Sequence, residues 1–208
     1  MPLPELVLAS TSAYRRSLLE RLGLPFTAVA PDVDESRHAR ESAPGLVVRL
    51  AEAKARAVAP AHPGALIIGS DQVAVIGDRV LGKPGNRERA IEQLTLAAGN
   101  TVVFYTGLCL LNAATGRRRT LCEPFRVGFR RLSQAQIAGY VDRERPFDCA
   151  GGFKSEGLGI ALFEHLEGND PNALIGLPLI RLVELLAAEG LDVLVAPQAS
   201  PSDTAEQA

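Results

Sequence analysis

The sequence has few of the residues that thiolate metal sites and disulfide frameworks need. Its 208 residues include three cysteines, three histidines, one methionine and no tryptophan. Cys109, Cys122 and Cys149 form no CxxC pair, and their odd number argues against a disulfide framework. The three histidines are scattered without the spacing of metal ligands, so we do not expect a zinc site.

Long apolar runs and a strong charge of either sign are also missing. No apolar run is long enough to cross a bilayer, and the start "MPLPELVLAS" lacks the basic region and cleavage site of a signal peptide. The formal net charge is −2, which gives no general attraction to nucleic acid or to anionic membrane. We therefore expect a cytoplasmic protein without nucleic-acid or membrane partners, in which any anion binding depends on local arginines and lysines.

What is present is the composition of a globular protein, with 47% hydrophobic and 22% charged residues. Strands and helices alternate at the start and β-hairpins fill the middle, so the pattern predicts an α/β fold. The predicted elements include a helix after the first strand that Ser12 or Thr11 can cap, a helix over 44–59 with Leu46, Leu50, Ala53 and Ala57 on one face, a hairpin turning at Gly77–Asp78, and a helix capped by Asn86. They also include a helix ending near Tyr140 with a capping box of Ser133 and Gln136, a last helix between Pro178 and Gly190, and a disordered tail from Pro197.

An acid follows directly after a predicted buried strand. The run from Ala65 to Ile68 is apolar, which is typical of a strand covered on both faces, and Asp71 comes three positions later. Burying a bare carboxylate is very costly. We therefore expect Asp71 to leave the strand end and to be solvated at a cleft, hydrogen-bonded or paired with a cation.

The stretch "STSAYRRS" is a candidate phosphate site. Arg15 and Arg16 fall in the first turn of a helix that follows a strand, where a cation is unfavourable unless an anion binds beside it. The hydroxyls at 10–12 would complete a phosphate cradle. The alternative is a solvated pair in which Arg16 bridges to Glu20 one turn later.

Two further charged positions each allow two interpretations. The acidic run "PDVDES", with Asp32, Asp34 and Glu35, either holds part of a magnesium site or forms a solvated turn. Lys54 lies at the edge of the apolar face of its helix. Its side chain either follows the edge of the core or points into a cleft.

Two glycine-containing stretches also carry lysines. "GDRVLGKP" matches the beginning of a P-loop but ends in Pro84, which supplies no hydroxyl and biases Lys83 away from helical dihedrals. In "GGFKSEGLG" the glycines around Lys154 and Glu156 either let the backbone approach a ligand or form a flexible surface loop. Several cations, a few acids and no histidine base favour phosphoryl chemistry with a hard metal ion, magnesium first.

The order of these motifs resembles the Maf-like nucleotide pyrophosphatases from about Leu6 to Leu186. The resemblance rests on "LASTSAYRRSLLERLG", "PDVDE", "AEAKA", "IIGSDQV", "LGKP" and "AGGFKSEGLG…GNDPNALIGLPL". It implies a single domain over residues 1–196, a mixed twisted sheet with two lobes around a deep cleft similar to inosine triphosphate pyrophosphatases, and a homodimer. The implied reaction cleaves a nucleoside triphosphate between its α- and β-phosphates with Mg²⁺, or Mn²⁺ or Co²⁺.

The resemblance also implies roles for individual residues. Asp71 would accept a proton from the attacking water, and Glu35 would be a catalytic acid or, with Asp71, a metal ligand. The remaining implied site residues are the cleft lysines Lys54 and Lys83 and the phosphate-binding residues Ser10, Arg15, Arg16 and Lys154.

Within the family, the chain is similar to the 7-methyl-GTP branch, whose specificity positions fall on Tyr14, Gln72 and Glu156. A carboxylate at 156 suits the donor edge of guanine, and an aromatic ring at 14 suits stacking on a cationic base. From the resemblance we expect Trp in close relatives at the position of Tyr14, and Tyr is a weaker cation–π partner than Trp. Two alternatives stay open: the dTTP/UTP branch, and a largely non-catalytic nucleotide-binding regulator of septum formation.

Overall fold

A computed structural model describes residues 4–196, and the predicted tail from Pro197 lies outside this range. No helix within residues 4–196 is both long and apolar enough to cross a membrane. The strands and helices follow in the order β1 (Leu6–Ala9), α1 (Ala13–Glu20), β2 (Thr27–Val29), α2 (Ala43–Val58), β3 (Leu66–Ile76), β4 (Arg79–Leu81), α3 (Arg87–Ala97), β5 (Thr101–Asn112), β6 (Arg118–Phe129), α4 (Gln134–Glu144), β7 (Phe163–Glu167) and α5 (Leu179–Ala188).

The strands form one mixed seven-stranded sheet in the order β2-β1-β3-β5-β6-β7, with β4 paired to β3. β1 pairs in parallel with β2 and β3, whereas the pairs β3–β5, β5–β6 and β6–β7 are antiparallel. The parallel part comes from the alternating βα segment, and the antiparallel part from the long central hairpin. The α/β class predicted from the pattern is confirmed.

Two packed regions share the long strands β3 and β5. In the first lobe, α2 covers one face of the sheet, and the leucines of α1 and α5 cover the other face. In the second lobe, α3 and α4 pack on the far halves of β5 and β6 around an aromatic cluster that includes Phe104, Phe129 and Phe153. The first lobe uses β3 up to Ile68, and the second begins at Ala74. Residues 69–73 therefore cross from one core to the other.

Helix α2 lies unusually close to the sheet because two glycines face it. A methyl group built on Gly69 would lie 2.0 Å from the Ala51 carbonyl oxygen, and one on Gly107 would lie 2.1 Å from the Val47 carbonyl oxygen. Real side chains never approach this closely, so only glycine permits this helix–strand distance. Gly107 is paired in register with Asp71, which places α2 directly over the polar part of β3.

The helix-start signals in the sequence correctly predict where most of the helices begin. Ser12 and Asn86 each accept a hydrogen bond as N-cap residues of α1 and α3. Ser133 and Gln136 form the predicted capping box of α4. Pro178 stands at the N-cap of α5, so the predicted start of the last helix is also confirmed.

Three details of the prediction are wrong. The buried face of α2 contains Lys54 and Ala55, whereas Ala57, predicted on the apolar face, is exposed. α4 continues to Glu144 rather than ending near Tyr140. β3 does not end at Ile68 but runs through Asp71 to Ile76, because β5 pairs with it from Leu66 to Val75.

We expect Gly107→Ala to destabilise the fold by about 1–3 kcal/mol, because α2 must move away from the sheet. For a domain of this size, the melting temperature falls by roughly 2–4 °C per kcal/mol. Gly139→Ala is the control, since Gly139 lies exposed in α4 with nothing near its added methyl group. That change should leave the protein as stable or stabilise it by about 0.5–1 kcal/mol. Thermal unfolding measures both, and equal melting temperatures would contradict the close-packing argument.

Candidate active site

A cavity of about 690 Å³ opens where β3 crosses between the two cores. Its walls come from the start of α1, the acidic loop after β2, α2, the middle of β3, the turn after β4 and the segment 148–156. Nine of the eleven predicted site residues line it: Ser10, Tyr14, Arg15, Glu35, Lys54, Asp71, Gln72, Lys83 and Glu156. The structure therefore brings together most of a set that is scattered over 147 residues of sequence.

Lys54 lies between two carboxylates at the centre of this cavity. Its Nζ is 2.7 Å from Asp71 Oδ1 and 2.7 Å from Glu35 Oε1. Lys54 is 5% and Asp71 8% exposed, so each buried charge is compensated by the other. Burial favours the neutral form of Glu35, but the hydrogen bond and charge of Lys54, with Lys83 and Arg15, outweigh it and lower the pKa of Glu35.

The acidic loop that carries Glu35 is fixed to α2 by a second ion pair. The Arg49 guanidinium donates to both oxygens of Glu41, at 2.7 and 2.9 Å, and to the Ser36 carbonyl oxygen at 2.9 Å. The hydrogen bond from Arg49 lowers the pKa of Glu41 to about 2. Arg49 and Lys54 both belong to α2. This one helix therefore holds the acidic loop at Glu35, at Ser36 and at Glu41, and so determines where Glu35 lies.

The first turn of α1 lines the cavity and carries one arginine there. Ser12 caps the helix, and Ser10 Oγ lies 3.5 Å from Arg15 Nη1. Arg15 Nε donates to the Gly176 carbonyl oxygen at 2.8 Å, which fixes the guanidinium beside the cavity. Burial lowers the pKa of Arg15, and the negative charges of Asp71 and Glu35 oppose that shift. An anion is the ligand that suits this position.

Two predicted phosphate-binding residues lie away from the cavity wall. Arg16 is exposed on the other side of α1 and does not line the cavity. Lys154 turns toward the end of α4, where its Nζ is 3.4 Å from the Glu144 carbonyl oxygen. Lys83, by contrast, does line the cavity from the exposed turn after β4.

Gln72 contacts the loop that closes the cavity on the side of α5. Its Nε2 lies within hydrogen-bond distance of the carbonyl oxygens of Ala173, at 2.7 Å, and Leu174, at 3.1 Å, and of Thr106 Oγ1 at 3.0 Å. These acceptors require the NH₂ side of the amide there, because Thr106 gives its own proton to Ala173. The Gln72 carbonyl oxygen is therefore the end that remains for a ligand.

Tyr14 is tied to the segment on the opposite wall. Its hydroxyl donates to Asp148 Oδ2 at 3.2 Å, and the Cys149 thiol lies 3.5 Å from that hydroxyl. Burial, together with Cys149 and Asp148, raises the pKa of Tyr14. Burial also raises the pKa of the Cys149 thiol to about 11, so this thiol is protonated at neutral pH. Glu156 lies further along the same segment and accepts a hydrogen bond from Ser155 Oγ.

Two buried polar residues support the site, and neither is predicted as a site residue from the sequence. The Ser70 hydroxyl lies within 3 Å of the carbonyl oxygens of both Gly107 and Gly176. Asp170, fully buried, accepts hydrogen bonds from the backbone N–H groups of Asn172 and Ile180 and so caps two helical turns. The dipeptide Asp170–Pro171 is a helix-start signal that sequence reasoning could have used. Ser70 carries no comparable signal.

The carboxylates present suit a magnesium ion that is shared with a ligand. Residues 4–196 contain no group of three or more His, Cys, Asp or Glu side chains that could hold a metal ion. Glu35 and Asp71, however, both contact one lysine nitrogen, so their carboxylates lie within two hydrogen-bond lengths of each other. Mg²⁺ is commonly held by one or two carboxylates together with substrate phosphates and water. This donor set fits that arrangement.

Comparison with a solved structure supports the fold. The Staphylococcus aureus Ham1 protein superposes with a TM-score of 0.52 at 14% identity, covering 89% of this chain and 99% of that one. At this identity the similarity concerns the fold alone. It confirms the predicted class, a mixed α/β fold with a cleft between two lobes.

The fold and the charged cleft place the chain in the class of two-lobed α/β proteins. Sequence comparison then identifies its family. The family model described as Maf-like protein matches residues 5–189. The chain belongs to the Maf-like protein family. Relatives called 7-methyl-GTP pyrophosphatase are 60% identical in Nitrosococcus oceani and 62% identical in Alcanivorax borkumensis, covering 92% and 91% of this chain and 96% of each relative.

We expect Glu41→Gln to lower stability in a pH-dependent way. The pKa of Glu41 falls from 4.5 to about 2 on folding, so its stabilising effect is complete above pH 4.5 and is lost as the pH falls through 2. The gap in melting temperature between wild type and Glu41→Gln should be largest near pH 6 and close toward pH 2. Glu20→Gln, at an exposed position of α1, is the control. A gap that stays constant with pH would contradict the ion-pair assignment.

Proposed function

We propose that the protein hydrolyses a nucleoside triphosphate between its α- and β-phosphates, with 7-methyl-GTP as the preferred substrate. The products are the nucleoside monophosphate and pyrophosphate. One observation carries the proposal: a carboxylate, Asp71, is held by Lys54 at the wall of a cavity whose other cations are Arg15 and Lys83. The names of the relatives at 60% and 62% identity support the choice of substrate.

The cationic end of the cavity suits the triphosphate. Lys83 and the Arg15 guanidinium supply positive charge, and the N-terminal end of α1 lines the same space. Ser10 and the residues after it add hydroxyl donors. Charge-assisted hydrogen bonds of this kind are shorter and stronger than neutral ones, so they orient the phosphates for in-line attack.

Asp71 is the residue suited to accept the proton of the attacking water. The water oxygen bonds to the α-phosphorus, the bond from that phosphorus to pyrophosphate breaks, and the water proton passes to Asp71. The Lys54 ammonium beside it balances the negative charge of the carboxylate. A positioned base of this type contributes typically about 10²–10⁴-fold to the rate.

Magnesium is the proposed cofactor, and Glu35 and Asp71 are the residues that would hold it together with the phosphates. When bound, the ion neutralises the negative charge that develops on the phosphate oxygens. Lys54 would then share these two carboxylates with the ion, and its flexible stem permits the small movement that this requires.

A second set of residues that line the cavity suits the base. The Tyr14 ring lines the cavity, where a cationic base would stack on it. The Gln72 carbonyl oxygen and the Glu156 carboxylate are acceptors, and guanine presents N–H donors at its N1 and N2 edge. We further propose that the protein acts in the cytoplasm as a homodimer, as the family resemblance implies; light scattering in solution measures the oligomeric state.

The decisive experiment measures pyrophosphate release from a panel of nucleoside triphosphates with and without Mg²⁺. We expect 7-methyl-GTP to have the highest kcat/KM, and chelation of the metal to abolish release. A preference for dTTP or UTP would instead assign the protein to the pyrimidine branch. Nucleotide binding without pyrophosphate release in Mg²⁺ would favour the regulator and contradict the proposal.

We expect Asp71→Asn to reduce kcat by at least about 100-fold while nucleotide binding persists, because the amide cannot accept the proton. Asp78→Asn is the matched control, since Asp78 belongs to the same hairpin but is exposed at its turn. Pyrophosphate release and equilibrium binding are measured for both variants. Retention of substantial turnover by Asp71→Asn would exclude this residue as the base.

A further inference from the structure

The carboxylate of Asp148 faces the cavity without a cationic partner. Neither of its oxygens lies within 4.0 Å of a basic group among residues 4–196, whereas Asp71 and Glu35 share Lys54. Its polar contacts are the Tyr14 hydroxyl, 3.2 Å from Oδ2, and the Cys149 thiol, 3.5 Å from Oδ1. Both of these groups are neutral donors at neutral pH. The Asp148 carboxylate therefore has no cation within ion-pair distance among the described residues, and it lies beside Tyr14.

The hydrogen bond to Asp148 also fixes the ring itself. Tyr14 belongs to α1 and Asp148 to a segment 134 residues later, so this contact joins two walls of the cavity. This hydrogen bond restricts the position of the Tyr14 hydroxyl, and so it limits the χ1 rotamers open to the side chain before a base stacks on its ring. A phenylalanine at position 14 would have no side-chain donor with which to hold Asp148.

The chemistry of the base makes this charge selective. Methylation of guanine at N7 places a fixed positive charge on the imidazole half of the ring, whereas guanine itself is neutral at pH 7. A carboxylate beside the stacked ring therefore attracts the methylated base and not the unmethylated one. Tyrosine alone is a weaker partner for a cation than tryptophan, so an added negative charge has most effect beside a tyrosine.

We propose that Asp148 is a further specificity-determining residue: held by the Tyr14 hydroxyl, its carboxylate selects nucleotides with a positively charged base. The inference rests on the proposed function of the same cavity. Asp148 is exposed to solvent, which screens its charge. The expected preference is therefore modest, roughly three- to tenfold between 7-methyl-GTP and GTP.

The test compares kcat/KM for 7-methyl-GTP and GTP in wild type, Asp148→Asn and Asp148→Glu. Asp148→Asn should lower the ratio of the two values roughly three- to tenfold, mainly through KM for 7-methyl-GTP, while Asp148→Glu keeps it within about twofold. Raising the ionic strength should reduce the ratio in wild type but not in Asp148→Asn. Glu164→Gln, an equal charge change at an exposed position of β7, should leave the ratio unchanged.

The Tyr14→Phe background tests whether the hydroxyl holds the carboxylate. There, Asp148→Asn should change the ratio less than in wild type, because the two side chains act together. An equal loss for both nucleotides, or no change for either, would overturn the proposal. Equilibrium binding of 7-methyl-GTP and GTP to wild type and Asp148→Asn gives the same comparison without turnover. If no nucleotide is hydrolysed but the binding preference depends on Asp148, the proposed function fails and this inference stands.

Discussion

The distance between α2 and the sheet is the constraint on which the site depends. Gly69 and Gly107 let the carbonyl groups of α2 lie directly against β3 and β5. At this distance the side chain of Lys54, which leaves the buried face of the helix, reaches the Asp71 carboxylate in the middle of β3. The same helix carries Arg49, so its position also determines where the acidic loop and Glu35 lie. Packing and chemistry are thus set by one helix–sheet contact.

The burial of Lys54 and Asp71 explains why this contact has to be tight. Removing two charges from water costs several kcal/mol per ion. Their attraction offsets that cost only if the geometry is good and the remaining donors and acceptors of both groups are hydrogen-bonded. Lys54 meets the condition by contacting two carboxylates, one buried and one on an exposed loop. A cavity of this kind is costly for stability. It is useful for phosphate chemistry because charges at low dielectric act strongly on a ligand.

Local signals in the sequence predict the fold well. Contacts between segments that are distant in the chain are known only from the structure. The N-caps at Ser12, Asn86 and Ser133 depend on a few neighbouring residues, so sequence reasoning finds them. The continuity of β3 depends on β5, about 35 residues later in the chain, and the polar run "SDQ" wrongly predicts a strand end. The buried position of Lys54 likewise depends on Asp71, and spacing along α2 alone places it at the edge of the apolar face. The contact between Asp148 and Tyr14 joins positions 134 apart, and no local pattern indicates it.

A buried strand usually consists of apolar residues, but β3 contains a run of three polar ones. Each of the three has a different set of hydrogen-bond partners. Ser70 contacts the carbonyl groups of Gly107 and Gly176, Asp71 pairs with α2, and Gln72 binds the loop before α5. Buried polar groups are tolerated when every member has a partner, and such networks concentrate at functional sites. Because these partners come from α2, from β5 and from the closing loop, the three residues fix these walls of the cavity relative to one another. The stretch that looks like a break in the strand is therefore the part that holds the cavity together.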